Sequence, residues 1–201
     1  MTGTLAIDTA SSLVAVAFTV GGDLRVSTSD DETPEHSRRI VQLIDEVTGG
    51  DRAAISGIVV TQGPGSFTGL RIGIATAQSL GFALGVPVVG VPTLRLVAGV
   101  ADEDDLLAVH PAGRDEFAAQ RFVRGVAQGE LFLDQADALD HTTIVGDGAE
   151  ALGGRDVGPA ARVAVAVRLE VPPGSGPSVE PIYARAPNIT KPREPFAKSE
   201  T

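Results

Sequence analysis

Residues 57–84, GIVVTQGPGSFTGLRIGIATAQSLGFAL, read as strand, glycine loop and helix. Ile58, Val59 and Val60 form the short apolar run of a strand covered on both faces, as in a parallel sheet. Gly63, Pro64 and Gly65 end the run in a tight loop, because glycine tolerates positive φ and proline has no amide hydrogen for a ladder. Ser66 or Thr68 is placed to cap the helix that follows. In that helix Gly73, Ala77, Gly81 and Gly85 recur every fourth residue, leaving one stripe almost without side chains. A mid-helix glycine costs about 1 kcal/mol relative to alanine, so the stripe calls for close approach of another backbone. That backbone belongs either to a partner or to the chain itself. Leu70 and Ile74 lie beside the stripe, and Arg71 and Gln78 give it a polar margin suited to a partner surface.

Composition narrows the classes. A chain of 201 residues holds one large domain or two small lobes and buries a core without staples. With 43% hydrophobic but only 4% aromatic residues, that core must be built from Val, Ala, Leu and Ile. The absence of cysteine excludes a thiol nucleophile, a disulfide frame and cysteine-ligated zinc. No apolar run approaches the roughly 20 residues that span a bilayer, and the first residues enter a strand-like pattern without a basic leader. A soluble, cytoplasmic protein with no membrane partner is expected. A net charge of -10 argues against a broad nucleic-acid footprint, so any RNA link is expected to run through a partner.

From the start of the chain, LAIDTASSLVAVAF reads as a β-hairpin whose turn carries Asp8, Thr9, Ser11 and Ser12, and Leu24–Thr28 as a third strand. A carboxylate and hydroxyls at such a turn either face a phosphate or magnesium ion or satisfy turn amides; the second is the plainer reading. DETPEHSRRIVQLIDEVTGG predicts a helix with Thr33 as cap and Pro34 in its first turn, ending before Gly49. Its apolar face carries His36, Ile40, Leu43, Ile44 and Val47; Arg38, Arg39, Gln42, Asp45 and Glu46 take the other. VPVVGV is a further buried strand, and a short helix starts at Pro92 or Thr93. The acidic run ADEDD, residues 101–105, divides a first lobe (1–101) from a smaller second lobe (102–171) built of LLAVHPA, EFAAQRFV, another strand, and a short strand at Thr143–Val145. ARVAVAVRLEV is compatible with helix or strand. Residues 172–201 are a proline-rich, extended tail anchored at Ile182 and Tyr183.

Reactive groups in recognisable patterns are few. Glycines at 63, 65 and 69 lack the Lys-Ser or Lys-Thr of a nucleotide P-loop, and Ser66 is one position too early for a nucleophile elbow. His36, His110 and His141 share no ligand spacing, so no metal site and no catalytic residue are expected.

LAIDTASS, HSRRIVQLIDEV and VVTQGPGSFTGLRIGIATAQSLGFALGVPVVGVPTLRLVA together resemble the TsaB (YeaZ) family of the glycoprotease-like, peptidase M22-like superfamily. GRDEFAAQRF, IVGDGA and PIYAR are weaker echoes. The resemblance implies an α/β, actin-like ATPase (ribonuclease H-like) fold of two lobes, each a mixed sheet flanked by helices. It implies a non-catalytic partner subunit in the synthesis of threonylcarbamoyladenosine on tRNA, docked on the catalytic paralogue TsaD, with TsaE joining, or on a second copy when alone. ATP and metal are then expected on TsaD rather than on this chain. Relatives of the TsaD type carry two metal-binding histidines one helical turn apart, and here His36 is followed by Ile40. The partner-contact residues implied are His36, Arg39, Ile40, Leu43, Leu70, Arg71, Gly73, Ile74, Ala77, Gln78 and Gly81. The competing reading is a small actin-like ATPase or kinase that holds Mg-ATP with Asp8, Thr9, Ser11 and Ser12; a peptidase is a distant third.

Overall fold

The computed structural model describes residues 2–29, 36–139, 143–174 and 178–185. In the first sheet β1 (Gly3–Asp8) pairs antiparallel with β2 (Ala15–Val20), and β2 pairs antiparallel with β3 (Asp23–Thr28). On its other side β1 lies parallel to β4 (Ile55–Gly63), and β4 parallel to β5 (Val88–Pro92). The second sheet repeats this plan. Its β6 (Asp105–Gly113), β7 (Glu116–Val123) and β8 (Val126–Gln135) form an antiparallel meander, while β9 (Ile144–Gly146) and β10 (Arg155–Asp156) add in parallel beside β6. Orders β3-β2-β1-β4-β5 and β10-β9-β6-β7-β8 are thus one topology used twice. This is the two-lobed actin-like arrangement with mixed sheets.

Among the described residues four α-helices complete it: α1 (His36–Thr48), α2 (Phe67–Leu84), α3 (Thr93–Val100) and α4 (Pro159–Ala166). Thr33 and Pro34, the expected start of α1, lie outside the described residues. Ser66 is the cap of α2, its hydroxyl accepting a 3.1 Å bond from the Gly69 amide. None of these helices is long and apolar enough to cross a membrane.

Strand parity decides what each face of the first sheet meets. Leu5, Ile7, Val16, Phe18, Ile58 and Val60 point to one side and pack with Ile40, Leu43 and Ile44 of α1 and Ile74 and Ala77 of α2. Ala6, Ala15, Ala17 and Val59 point to the other, where their small side chains admit Val163, Ala166 and Val167 at close range. The segment ARVAVAVRLEV is therefore helical at its start, as α4. Although it follows the second sheet, and was assigned with residues 102–171 to the second lobe, α4 packs on the first. Helix α3 sits between the two sheets, Leu96 facing the first and Leu94, Val97 and Ala98 facing the second.

Candidate functional site

Asp8 ends β1 and His110 lies near the end of β6, at matching places in the two copies of the topology: Ile7 is paired with Val60, and Val109 with Gly146. Ligand sites in open α/β sheets lie at these carboxyl ends of parallel strands. Parity turns Asp8 to the same side as Ala6, and His110 to the same side as Ala108, so both face the layer of α3 and α4. The residue that meets them is Arg162.

Arg162 is completely buried. Its Nε donates to Asp8 Oδ2 at 2.6 Å, Nη1 to the Val157 carbonyl at 2.9 Å and Nη2 to Ser11 Oγ at 2.7 Å. The Ser11 hydroxyl in turn donates to Asp147 Oδ2, and Arg162 Nη1 lies 3.9 Å from the same oxygen. The other Asp8 oxygen accepts from the Ala10 amide at 2.9 Å and from Thr61 Oγ1 at 3.1 Å. Asp8 is fully buried as well, and both of its carboxylate oxygens accept hydrogen bonds within the chain. The turn Asp8–Ser12 was expected to satisfy either its own amides or a phosphate. The structure brings Asp8 and Ser11 onto a guanidinium 154 and 151 positions away. Thr9 and Ser12 do not join them: the Thr9 hydroxyl faces Gly73, and Ser12 is exposed.

The His110 ring closes the cluster. The Pro111 carbonyl, which only accepts, lies 3.0 Å from Nδ1, so Nδ1 carries the hydrogen. Nε2 is buried without a hydrogen-bond partner, 3.5 Å from Asp147 Oδ2. Burial, and after it the charge of Arg162, holds this imidazole below its ordinary pKa, against the opposite pull of the Pro111 carbonyl, Asp147 and Asp8. Unfolded chains therefore take up a proton on His110 at a pH where folded chains do not. The stability contributed by the neutral ring is present above the ordinary value of 6.5 and declines as pH falls through it toward the lower folded value. Urea midpoints measured from about pH 8 down to about pH 5.5 are expected to drop, and His110→Gln to flatten that drop. Equal slopes in the two proteins would remove His110 as its cause.

The residues expected to contact a partner separate into two groups. Ile40, Leu43, Leu70 and Ala77 are fully buried, and Ile74 nearly so, in the core described above. The bare stripe is sealed by the same chain: a methyl group on Gly73 would collide with Thr9 Oγ1, and one on Gly81 with the Val88 side chain. Gly85 does not continue the stripe but ends the helix in the left-handed region, at φ 67°. The docking strip expected there is internal packing between α2 and the first sheet. Arg71 and Gln78 are held by residues 179–183, Nε of Arg71 donating to the Tyr183 hydroxyl at 2.8 Å and Nε2 of Gln78 to the Val179 carbonyl at 3.1 Å. Arg39, half-buried, reaches Gln42 Oε1 at 3.3 Å. The side chain of His36, like the whole of His141, lies outside the described residues.

What α1 and α2 do leave open is a groove of about 420 Å³ between them, lined by Val41, Ile44, Ala75, Leu80 and Ala83 with Arg52 at its rim. Arg52 is fixed by a bidentate pair with Asp45, at 2.7 and 2.8 Å. Next to Ala83 of the groove, Phe82 stands 86% exposed. The helical periodicity of α2 marked the buried stripe correctly as apolar, but a stripe of small residues carries no record of which neighbour fills it. For Arg162 there was a signal: it is the only charged residue in the helix PAARVAVA, and such a residue is buried only when paired. Among the described residues no three His, Asp or Glu side chains converge as a metal-ligand set.

Comparison with known proteins now adds to this geometry. The chain is 38% identical over 98 residues to the tRNA threonylcarbamoyladenosine biosynthesis protein TsaB of Escherichia coli strain K12, covering 47% of this chain and 42% of that one. To TsaB of Haemophilus influenzae it is 30% identical over 138 residues, 64% of this chain and 58% of the relative. It thus spans about half the length of these curated relatives. Among solved structures, YeaZ from Pseudomonas aeruginosa superposes with a TM-score of 0.67 at 22% identity, covering 83% of this chain and 91% of that one, a likeness of fold. A family profile described as TsaD, tRNA N6-adenosine threonylcarbamoyltransferase, matches residues 31–145. With more than half of its length under that profile, and with relatives named TsaB, this chain belongs to the TsaD/TsaB family.

Proposed function

We propose that this chain is the non-catalytic subunit of a tRNA threonylcarbamoyltransferase assembly. It docks on TsaD through the open face of α1 and α2 and supports transfer of the threonylcarbamoyl group to the adenosine beside the anticodon. TsaE joins the assembly, ATP and metal reside on TsaD, and tRNA is reached through the partner. Alone, the same face pairs with a second copy.

The observation that carries the non-catalytic part is the pair Asp8–Arg162. Binding of Mg-ATP at the strand ends would need the Asp8 carboxylate, and that carboxylate already neutralises a buried guanidinium and accepts two further hydrogen bonds, from the Ala10 amide and Thr61 Oγ1. Ile40 supports the same reading. The resemblance places a second metal-binding histidine of the transferase paralogue there, and in this chain the position is a fully buried core side chain. For docking, the support is the apolar groove with Phe82 beside it.

Calorimetric titration of the purified chain with Mg-ATP is expected to show no binding in the micromolar range. Micromolar binding that disappears in Asp8→Ala would restore the ATPase reading. Native mass spectrometry of the chain mixed with TsaD is expected to show a heterodimer, and two unassociated proteins would remove the docking reading.

A further inference from the structure

The segment after α4 returns to the first lobe and lies in a seat cut for it. Val179 joins the core cluster of the first sheet, and a methyl group on Gly90 would collide with it and with Gln62 Oε1. The Ile182 amide donates to the Gln62 carbonyl at 2.6 Å, continuing past the end of β4. At Gly63, in the left-handed region with φ 111°, a methyl group would strike the Ile182 carbonyl. The passing segment thus meets both glycines, sharing Gly90 with the Gln62 side chain and Gly63 with its left-handed backbone.

Beyond Ile182 the Tyr183 ring lies 4.9 Å from that of Phe67, and the Arg71 guanidinium stacks 3.9 Å from the Phe67 centroid while bonding the Tyr183 hydroxyl. Arg185 then pairs with Glu116 of β7, in the other lobe. At 3.6 residues per turn Phe67, Arg71 and Gln78 form one stripe of α2, bordering the exposed stripe of Ala75, Ser79 and Phe82. The segment therefore grips α2 along the edge of the face that the docking reading uses.

We propose that residues 179–185 are a clasp that holds the first turns of α2 in the pose its partner requires, with Tyr183 and Arg71 as positioning residues. This rests on the docking of TsaD at α1 and α2. If the clasp favours the pose that the partner binds, linkage makes the effect reciprocal, and the partner tightens the clasp by the same factor. Tyr183 is the only tyrosine in a chain without tryptophan, so the tyrosine fluorescence of the isolated chain reports on the clasp.

The test uses the full chain, with hydrogen exchange of the α2 amides from Gly69 to Ile74 and calorimetry with purified TsaD. Tyr183→Ala is expected to speed exchange there at least tenfold and weaken TsaD binding about tenfold. Tyr183→Phe, which keeps the ring and loses the hydroxyl, is expected to fall between it and the native chain. The native Tyr183 signal is expected to sharpen when TsaD is added. Exchange and affinity within twofold of native in Tyr183→Ala overturn the proposal, as does faster exchange with native affinity. Phe82→Asp separates the two readings: if it leaves TsaD binding intact, docking at this face fails, while the exchange data still decide whether the clasp holds α2.

Discussion

Arg162→Met is expected to destabilise the protein by about 3–5 kcal/mol, the cost of removing one partner from a buried ion pair. Methionine fills much of the space but leaves the Asp8 carboxylate charged, fully buried and without its 2.6 Å guanidinium. Ser11 and the Val157 carbonyl lose their donors in the same step. The double variant Asp8→Asn with Arg162→Met removes the stranded charge and is expected to recover most of the loss, because a neutral amide tolerates the site far better than an unpaired carboxylate. Urea unfolding of the native protein, both single variants and the double variant closes the cycle. A loss below about 1 kcal/mol in Arg162→Met would mean that water or a shifted side chain compensates Asp8, and the Asp8–Arg162 argument against a nucleotide site would lose its basis.

The second large effect separates two adjacent residues of α2. Gly81→Leu is expected to destabilise the isolated chain by about 1–3 kcal/mol, since the new side chain must displace Val88 and the Val86 carbonyl from a filled contact. Replacing glycine in a helix returns only about 1 kcal/mol in propensity. Phe82→Asp, one position on, is expected to leave stability within about 0.5 kcal/mol, as surface substitutions do. It is also expected to weaken docking on TsaD by about 2 kcal/mol or more, the size of a central aromatic contact exchanged for a charge. Urea unfolding gives the first quantity and calorimetry with TsaD the second. Had the bare stripe been the docking strip, Gly81→Leu would have spared the monomer and broken the complex; a stable Gly81→Leu chain that cannot bind TsaD would restore that arrangement.

The two predictions turn on one distinction that a sequence does not contain. The four-residue recurrence of Gly73, Ala77 and Gly81 states that a neighbour comes close, and one does, but at Gly73 and Gly81 it is the side chains of Thr9 and Val88 of the same molecule. A stripe without side chains is equally good packing for an internal strand or a foreign helix, so periodicity left both open. The margin residues misled in a similar way. Arg71 and Gln78 look like an interface rim, yet Tyr183 and Val179, at separations of 112 and 101 positions, take their hydrogen bonds.

Local order was legible from the residues alone. Short apolar runs gave the strands from β1 to β9 but not the two-residue β10, apolar residues at helical period gave α1 and α2, and glycine punctuation gave the loop before Ser66. Those patterns are short-range, so neighbouring residues suffice to specify them. Pairing across 154 positions is not of that kind: that Asp8 meets Arg162 rather than a ligand, that α4 lies on the first sheet, and that the clasp lies over α2 follow only once two copies of one topology are folded against a shared helical layer. Strand parity fixes the side to which Asp8 points, but the side chain waiting there is chosen by the fold.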